Sequence, residues 1–123
     1  MKELKEYNEK TFEEIKHVDE YGNEYWEARE LQSVLEYARW ENFKKVIDKA
    51  IISLETEGSK KEDWLLEVRK PIKSGKGKKE DILDYRFSRH CCYLLVQNGD
   101  PRKNVIALGQ AYFAVQTSMR YNA

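Results

Sequence analysis

The sequence predicts an α+β domain in which a helical core of about four helices is accompanied by two short β-hairpins. Apolar residues recur every three or four positions through residues 40–54, which is the period of an amphipathic helix. Two pairs of short extended segments flank turns that contain glycine, at Gly22 and at residues 75–77, and this pattern is typical of β-hairpins. We expect a charged N-terminal segment over residues 1–14 and a single domain over residues 15–123.

The first half of the domain predicts a hairpin followed by two helices. Extended segments at residues 15–18 and 24–26 flank a Gly22-Asn23 turn. Ala28–Tyr37 then places its apolar side chains on one helical face. After a break at residues 37–39, a second helix carries the strongest period in the chain, through Trp40, Phe43, Val46, Ile47, Ala50, Ile51 and Leu54.

The second hairpin is predicted from two arms, Leu66–Ile72 and Asp81–Phe87. Because Pro71 has no N–H to donate to a ladder, the first arm is expected at the edge of a sheet. The loop between the arms is rich in lysine and glycine, so it is expected to be exposed.

Two more helices complete the predicted domain. Ser88 is a suitable N-cap for a helix that ends at Gln97. Asp100 and Pro101 are expected to open the last helix, with aspartate as N-cap and proline at the first helical position.

The formal charges cancel, with 22 basic and 22 acidic residues, but they are unevenly distributed. Residues 1–30 carry ten acidic and five basic side chains, whereas residues 69–79 carry six basic side chains and no acidic one. A partner responds to the local field more than to the sum, so the basic segment favours a polyanionic partner such as DNA.

The two cysteines, Cys91 and Cys92, are adjacent and cannot easily bridge each other, so no disulfide framework is expected. The N-terminus lacks the apolar region of a signal peptide, and no apolar run reaches membrane-spanning length. We therefore expect a cytoplasmic protein without a membrane partner.

Two candidate sites for nucleic acid follow from the basic residues. The first is the predicted helix-turn-helix, whose second helix would present Arg39, Asn42, Lys44 and Lys45 to a groove. The alternative is an ordinary helical hairpin with a solvated basic face. The second site is the basic hairpin, a wing that would contact phosphates through Arg69, Lys70, Lys73, Lys76, Lys78 and Lys79. The alternative there is a solubilising loop.

The sequence His90-Cys91-Cys92 suggests a nucleophile or a metal site, but neither is expected. Successive helical residues point about 100° apart, so His90 is poorly placed to activate either thiol. A zinc site needs about four ligands, and only His17 and His90 would join the two thiols. We expect both cysteines to pack in the core, and we expect no catalytic residue, metal or cofactor.

Several stretches together resemble one family. They are residues 12–16 (FEEIK), 25–31 (YWEAREL), 42–43 (NF), 88–101 (SRHCCYLLVQNGDP) and 109–117 (GQAYFAVQT). Taken together they resemble the DNA-damage-inducible protein D family, whose N-terminal part is a BRO-N domain related to phage and baculovirus antirepressors. The resemblance extends over residues 12–119.

This resemblance implies a BRO-N-like fold with a helix-turn-helix and a wing, DNA binding, and a link to the SOS response or to prophage antirepression. Members of the family are associated with disassembling or inhibiting RecA recombinase filaments on single-stranded DNA. Where the family has Leu-Gly-Tyr, this chain has Leu35-Glu36-Tyr37. The longer C-terminal region of the family is expected to be absent after Ala123.

Two functions are therefore predicted as alternatives. One is a DNA-binding module, with duplex and single-stranded DNA both open and a homodimer compatible with either. The other is a protein-interaction module that acts on RecA or a phage repressor through acidic residues 1–30 and exposed aromatics such as Trp26, Trp40 or Trp64.

Overall fold

The structure is a computed structural model that describes residues 9–73, 77 and 79–122. Over these residues the chain forms five α-helices and one four-stranded antiparallel sheet, which confirms the predicted α+β class. The helices and strands, in chain order, are α1 (Glu9–Glu14), β1 (His17–Val18), β2 (Glu24–Glu27), α2 (Ala28–Val34), α3 (Trp40–Thr56), a 3₁₀ turn (Lys61–Asp63), β3 (Leu65–Lys73), β4 (Lys79–Phe87), α4 (Arg89–Gln97) and α5 (Asn104–Asn122). None of the helices in this part of the chain combines the length and apolarity needed to cross a bilayer.

Both predicted hairpins are present, and they join into one sheet with the strand order β1-β2-β4-β3. The join is the pairing of β2 with β4, in which Trp26 lies opposite Phe87. Strand β3 lies at one edge, as Pro71 predicted, because an edge strand can accommodate a residue without an N–H. The tight turn of the first hairpin is closed by the Asp19 carboxylate, which accepts the backbone N–H groups of Tyr21 and Asn23 at 2.9 Å each.

The core is formed by the apolar faces of α3, α4 and α5 together with Trp26 and Phe87 of the sheet. Cys91 and Cys92 are fully buried in it, which confirms that both pack as core residues. Burial raises the pKa of both thiols, because the thiolate loses its hydration. Helix α4 begins as predicted, with the Ser88 hydroxyl accepting the N–H of Cys91 at 3.2 Å.

The prediction that Asp100 and Pro101 open the last helix is wrong, because α5 begins at Asn104. The Asp100 carboxylate accepts the N–H of Arg102 at 2.9 Å, and the Asp100 carbonyl accepts the N–H of Lys103 at 3.0 Å. These bonds close a turn that precedes the helix. An Asp-Pro pair suits the first two positions of a β-turn as well as a helix start, so the local sequence does not distinguish the two.

Helix α2 is also shorter than predicted and ends at Val34 rather than Tyr37. The N–H of Glu36 bonds to the carbonyl of Ser33 (3.1 Å), and the N–H of Tyr37 bonds to the carbonyl of Gln32 (3.0 Å). This is the Schellman pattern, which requires a left-handed residue, and Glu36 supplies it with φ of +64°. The chain therefore makes the turn between α2 and α3 with a glutamate at a position that favours glycine.

Candidate nucleic-acid interface

Helix α3 is held beside the β3–β4 hairpin by aromatic and cationic contacts. The Trp40 ring stacks on Tyr85 of β4, with ring centroids 6.4 Å apart and an angle of 20° between the planes. The Arg29 guanidinium makes a cation–π contact with Trp40, with its Cζ 3.7 Å from the ring centroid. Arg29 also donates from Nε (3.0 Å) and Nη2 (2.9 Å) to the carbonyl of Leu83. The start of α3 is thus attached to the middle of the hairpin.

The register of the hairpin places Arg69 on the side of the sheet that faces α3. Glu67 pairs with Tyr85, and Arg69 pairs with Leu83 two positions further along. Because side chains alternate along a strand, Arg69 shares a face with Tyr85, which contacts Trp40. The Arg69 side chain is 62% exposed, and its Nη2 lies only 4.0 Å from Glu67 Oε1, so its charge is largely available to a partner.

The ladder continues outward from Arg69 to a final pair formed by Lys73 and Lys79. Lys76 and Lys78, which the sequence also assigned to the wing, lie outside the described residues. The predicted wing is therefore the β3–β4 hairpin at the edge of the sheet. Strand β2 pairs only with Arg86 and Phe87 of β4, so the rest of the hairpin extends past the end of β2.

At the start of α3, three of the four predicted contact residues are exposed and one is neutralised. Arg39, at the N-cap, and Asn42 and Lys45, in the first turns, are exposed. Lys44 instead lies beside the sheet, with Nζ 2.6 Å from the Asp48 carboxylate. The hydrogen bond to Asp48 raises the pKa of Lys44.

Lys70 is also engaged within the protein, on the opposite face of the hairpin from Arg69. Its Nζ lies 2.7 Å from Glu27 and 2.8 Å from Asp84, which is completely buried. Burial opposes the lysine charge, but the hydrogen bonds to Asp84 and Glu27 prevail and raise the pKa of Lys70. Lys70 thus ties the middle of the hairpin to Glu27 at the end of β2 rather than pointing to a partner.

A second cluster of ionisable groups, which the sequence analysis did not predict, lies on this face. His17 Nε2 is 2.5 Å from Glu30 Oε1 and 3.7 Å from Glu27 Oε1. The only local sequence signal for this cluster was the spacing of Glu27 and Glu30 by three positions at the start of a helix. The histidine joins them through the pairing of β1 with β2, which places it opposite Tyr25.

The aromatic residues suggested for protein interaction are distributed differently from the prediction. Trp26 is completely buried, and its indole N–H bonds to the Phe12 carbonyl at 3.0 Å, so the expectation that it is exposed is wrong. Trp40 and Trp64 are half-buried. Tyr21, in the turn of the first hairpin, is instead 81% exposed, because this turn projects away from the core.

Comparison with known proteins gives one family and one close relative. The model of the "BRO family, N-terminal domain" matches residues 14–114. The "DNA damage-inducible protein D" of Escherichia coli (strain K12) is 43% identical over 106 residues, which are 86% of this chain and 39% of that protein. The chain thus spans about two fifths of the length of the curated relative it matches. No solved structure matches.

Proposed function

The chain belongs to the BRO family through its N-terminal domain, and from that membership we propose that it is a DNA-binding module of a damage-inducible or antirepressor-like protein. The observation that carries the proposal is the position of the start of α3 beside the basic hairpin. Arg39, Asn42 and Lys45 are exposed at the start of α3, and Arg69 is exposed on β3, on the face of the hairpin that Trp40 contacts. We call these residues together the α3–hairpin surface.

The two parts of the α3–hairpin surface have different tasks in this proposal. Arg39 and Asn42 carry the fork and amide geometries that hydrogen-bond base edges in a major groove. The hairpin supplies Arg69 and the lysines of its loop as charge contacts to phosphates, which position a protein without reading sequence. Lys44 and Lys70 are not counted among the contacts, because Asp48, Glu27 and Asp84 already neutralise them.

A second candidate function is an interaction with RecA or with a phage repressor, without direct contact to DNA. It is favoured by exposed apolar side chains on the first hairpin and on β3, namely Val18 (59% exposed), Tyr21 (81%) and Leu66 (55%). Val18 and Leu66 line one groove of about 900 Å³, together with both acidic and basic residues. The name of the relative links the family to DNA damage, which is compatible with either function.

One binding experiment separates these candidates. Fluorescent duplex DNA, single-stranded DNA and RecA-coated single-stranded DNA are titrated with the protein at several salt concentrations. A DNA-binding module is expected to bind at least one bare DNA, with an affinity that falls steeply as salt rises. Binding to RecA-coated DNA alone, with a weak response to salt, would reject the DNA-binding proposal in favour of protein interaction.

A further inference from the structure

We propose that His17, Glu27 and Glu30 form a binding site for a divalent transition-metal ion such as Zn²⁺. The three side chains come from β1, β2 and α2, and their ligand atoms all lie within 4.8 Å of one another. The sequence suggested a zinc site only around the two cysteines, where none was expected. The site found here uses neither thiol and does not depend on the proposed DNA binding.

The distances between the ligand atoms suit a small ion after one modest movement. Two ligands of a tetrahedral zinc ion lie about 3.4 Å apart, because each is about 2.1 Å from the metal. The separation of His17 Nε2 from Glu27 Oε1 is 3.7 Å, close to that value. His17 Nε2 and Glu30 Oε1 are 2.5 Å apart and must separate by about 1 Å to admit the ion. Glu30 is able to move, because its side chain is 40% exposed.

The other two ligands are held in place before any metal binds. The His17 ring stacks on Tyr25, with centroids 5.2 Å apart and planes at 15°. The Glu27 side chain is 15% exposed and bonds to Lys70 Nζ at 2.7 Å, and Lys70 is in turn fixed by buried Asp84. The oxygen of Glu27 that Lys70 bonds, Oε1, is the one nearest to His17, so the ion would share this carboxylate with the ammonium, which fixes its orientation.

The charge and chemistry of the site favour a transition-metal dication. Glu27, Glu30 and Asp84 supply three carboxylates. Lys70 and Arg86, which pairs with Glu27 across the strands and lies 4.8 Å from the Tyr25 ring, supply two cations, so one negative charge remains when His17 is neutral. One imidazole nitrogen with two carboxylate oxygens suits zinc and its neighbours better than calcium or magnesium, which prefer oxygen alone. Three protein ligands leave a fourth position for water.

The test measures thermal unfolding of the protein in excess EDTA and in added Zn²⁺. We expect Zn²⁺ to raise Tm by about 5 °C when its free concentration is about ten times Kd, because only the folded chain brings the three ligands together. Glu30→Gln and His17→Ala are each expected to abolish this rise. The matched control is His90→Ala, which removes the other histidine, also 3.0 Å from a glutamate but without a second acidic partner among the described residues. It should retain the full rise.

A second measurement needs no variant and covers the case in which one fails to fold. Co²⁺ added to the wild-type protein should broaden the imidazole NMR signals of His17 and leave those of His90 sharp, with a visible absorption band that reports the low coordination number. Absence of any Tm rise with Zn²⁺ would overturn the proposal. So would a rise that persists in both Glu30→Gln and His17→Ala, or broadening confined to His90.

Discussion

At the scale of single residues, Glu36 has a left-handed backbone conformation that favours glycine. A non-glycine residue with φ of +64° is strained by about 1–2 kcal/mol, because its Cβ approaches the neighbouring carbonyl. Glycine avoids this clash but loses more chain entropy on folding. We expect Glu36→Gly to raise the free energy of unfolding by about 0.5–1 kcal/mol, measured by urea denaturation.

Glu55→Gly is the matched control for this substitution. Glu55 is exposed on α3, where the backbone is helical, so the same chemical change should lower the free energy of unfolding by about 1 kcal/mol. If the two variants lose stability equally, the left-handed turn between α2 and α3 does not exist as described.

A second prediction at this scale concerns base reading by Arg39. If Arg39 hydrogen-bonds a base edge, Arg39→Ala should reduce the discrimination between a preferred and a scrambled duplex by ~1–3 kcal/mol. Arg102→Ala serves as the control, because Arg102 is exposed but is engaged with Asp100 at 2.9 Å in the turn before α5. Equal affinity of the wild-type protein for preferred and scrambled duplexes would show that α3 reads no sequence.

The sequence does not predict which of two adjacent basic residues is free to contact a partner. Lys70 and Arg69 are adjacent and belong to the same basic run, yet one is fixed between Glu27 and Asp84 while the other is exposed. The alternation of a strand predicts that neighbours face opposite ways. It does not predict which face carries acids, because Glu27 is 43 positions away and reaches Lys70 only through the fold.

At the scale of elements, most helices and strands were predictable because their signals are local. The period through α3, the cap at Ser88 and the edge position of Pro71 all follow from one stretch of sequence each. The pairing that joins the two hairpins was not predicted. It brings Trp26 beside Phe87 across 61 positions, and the register of such a contact is decided by burial rather than by local pattern.

Helix α4 carries a prediction that separates packing from function. Replacing both Cys91 and Cys92 by alanine should lower the free energy of unfolding by about 1–2 kcal/mol in total, because each fully buried thiol leaves a small cavity. DNA affinity at a temperature where the variant is folded should be unchanged. A variant that melts cooperatively but no longer binds DNA would contradict the assignment of these thiols to the core.

At the scale of the whole molecule, the charges of this chain cancel in sum but are unevenly distributed, and the proposed DNA contacts rest on that distribution. The acidic side chains near the N-terminus are partly used within the fold, as in the bidentate pair of Glu24 with Arg89 (2.7 and 2.9 Å). The hairpin that carries Arg69 extends away from that region. The uneven charge distribution was visible in the sequence, whereas the position of α3 beside the hairpin required the structure.

Contact between the basic hairpin and DNA phosphates is tested by the salt dependence of DNA binding. If four cations of the hairpin each neutralise one phosphate, they contribute about −3.6 to the slope of log affinity against log salt. This contribution is roughly a hundredfold loss in affinity between 50 and 200 mM salt. The variant replaces Lys73, Lys76, Lys78 and Lys79 by glutamine. The control replaces Lys60 and Lys61 by glutamine. These two lysines precede Leu65, which is the end of β3 that lies about 26 Å from Lys73.

We expect the fourfold hairpin variant to lose most of the salt slope on every DNA sequence, while its stability changes by less than about 0.5 kcal/mol. The control should keep the wild-type slope, because its exposed lysines lie far from the α3–hairpin surface. A salt slope that is unchanged in the hairpin variant, or that falls equally in the control, would contradict the account and leave the hairpin loop as a solubilising segment.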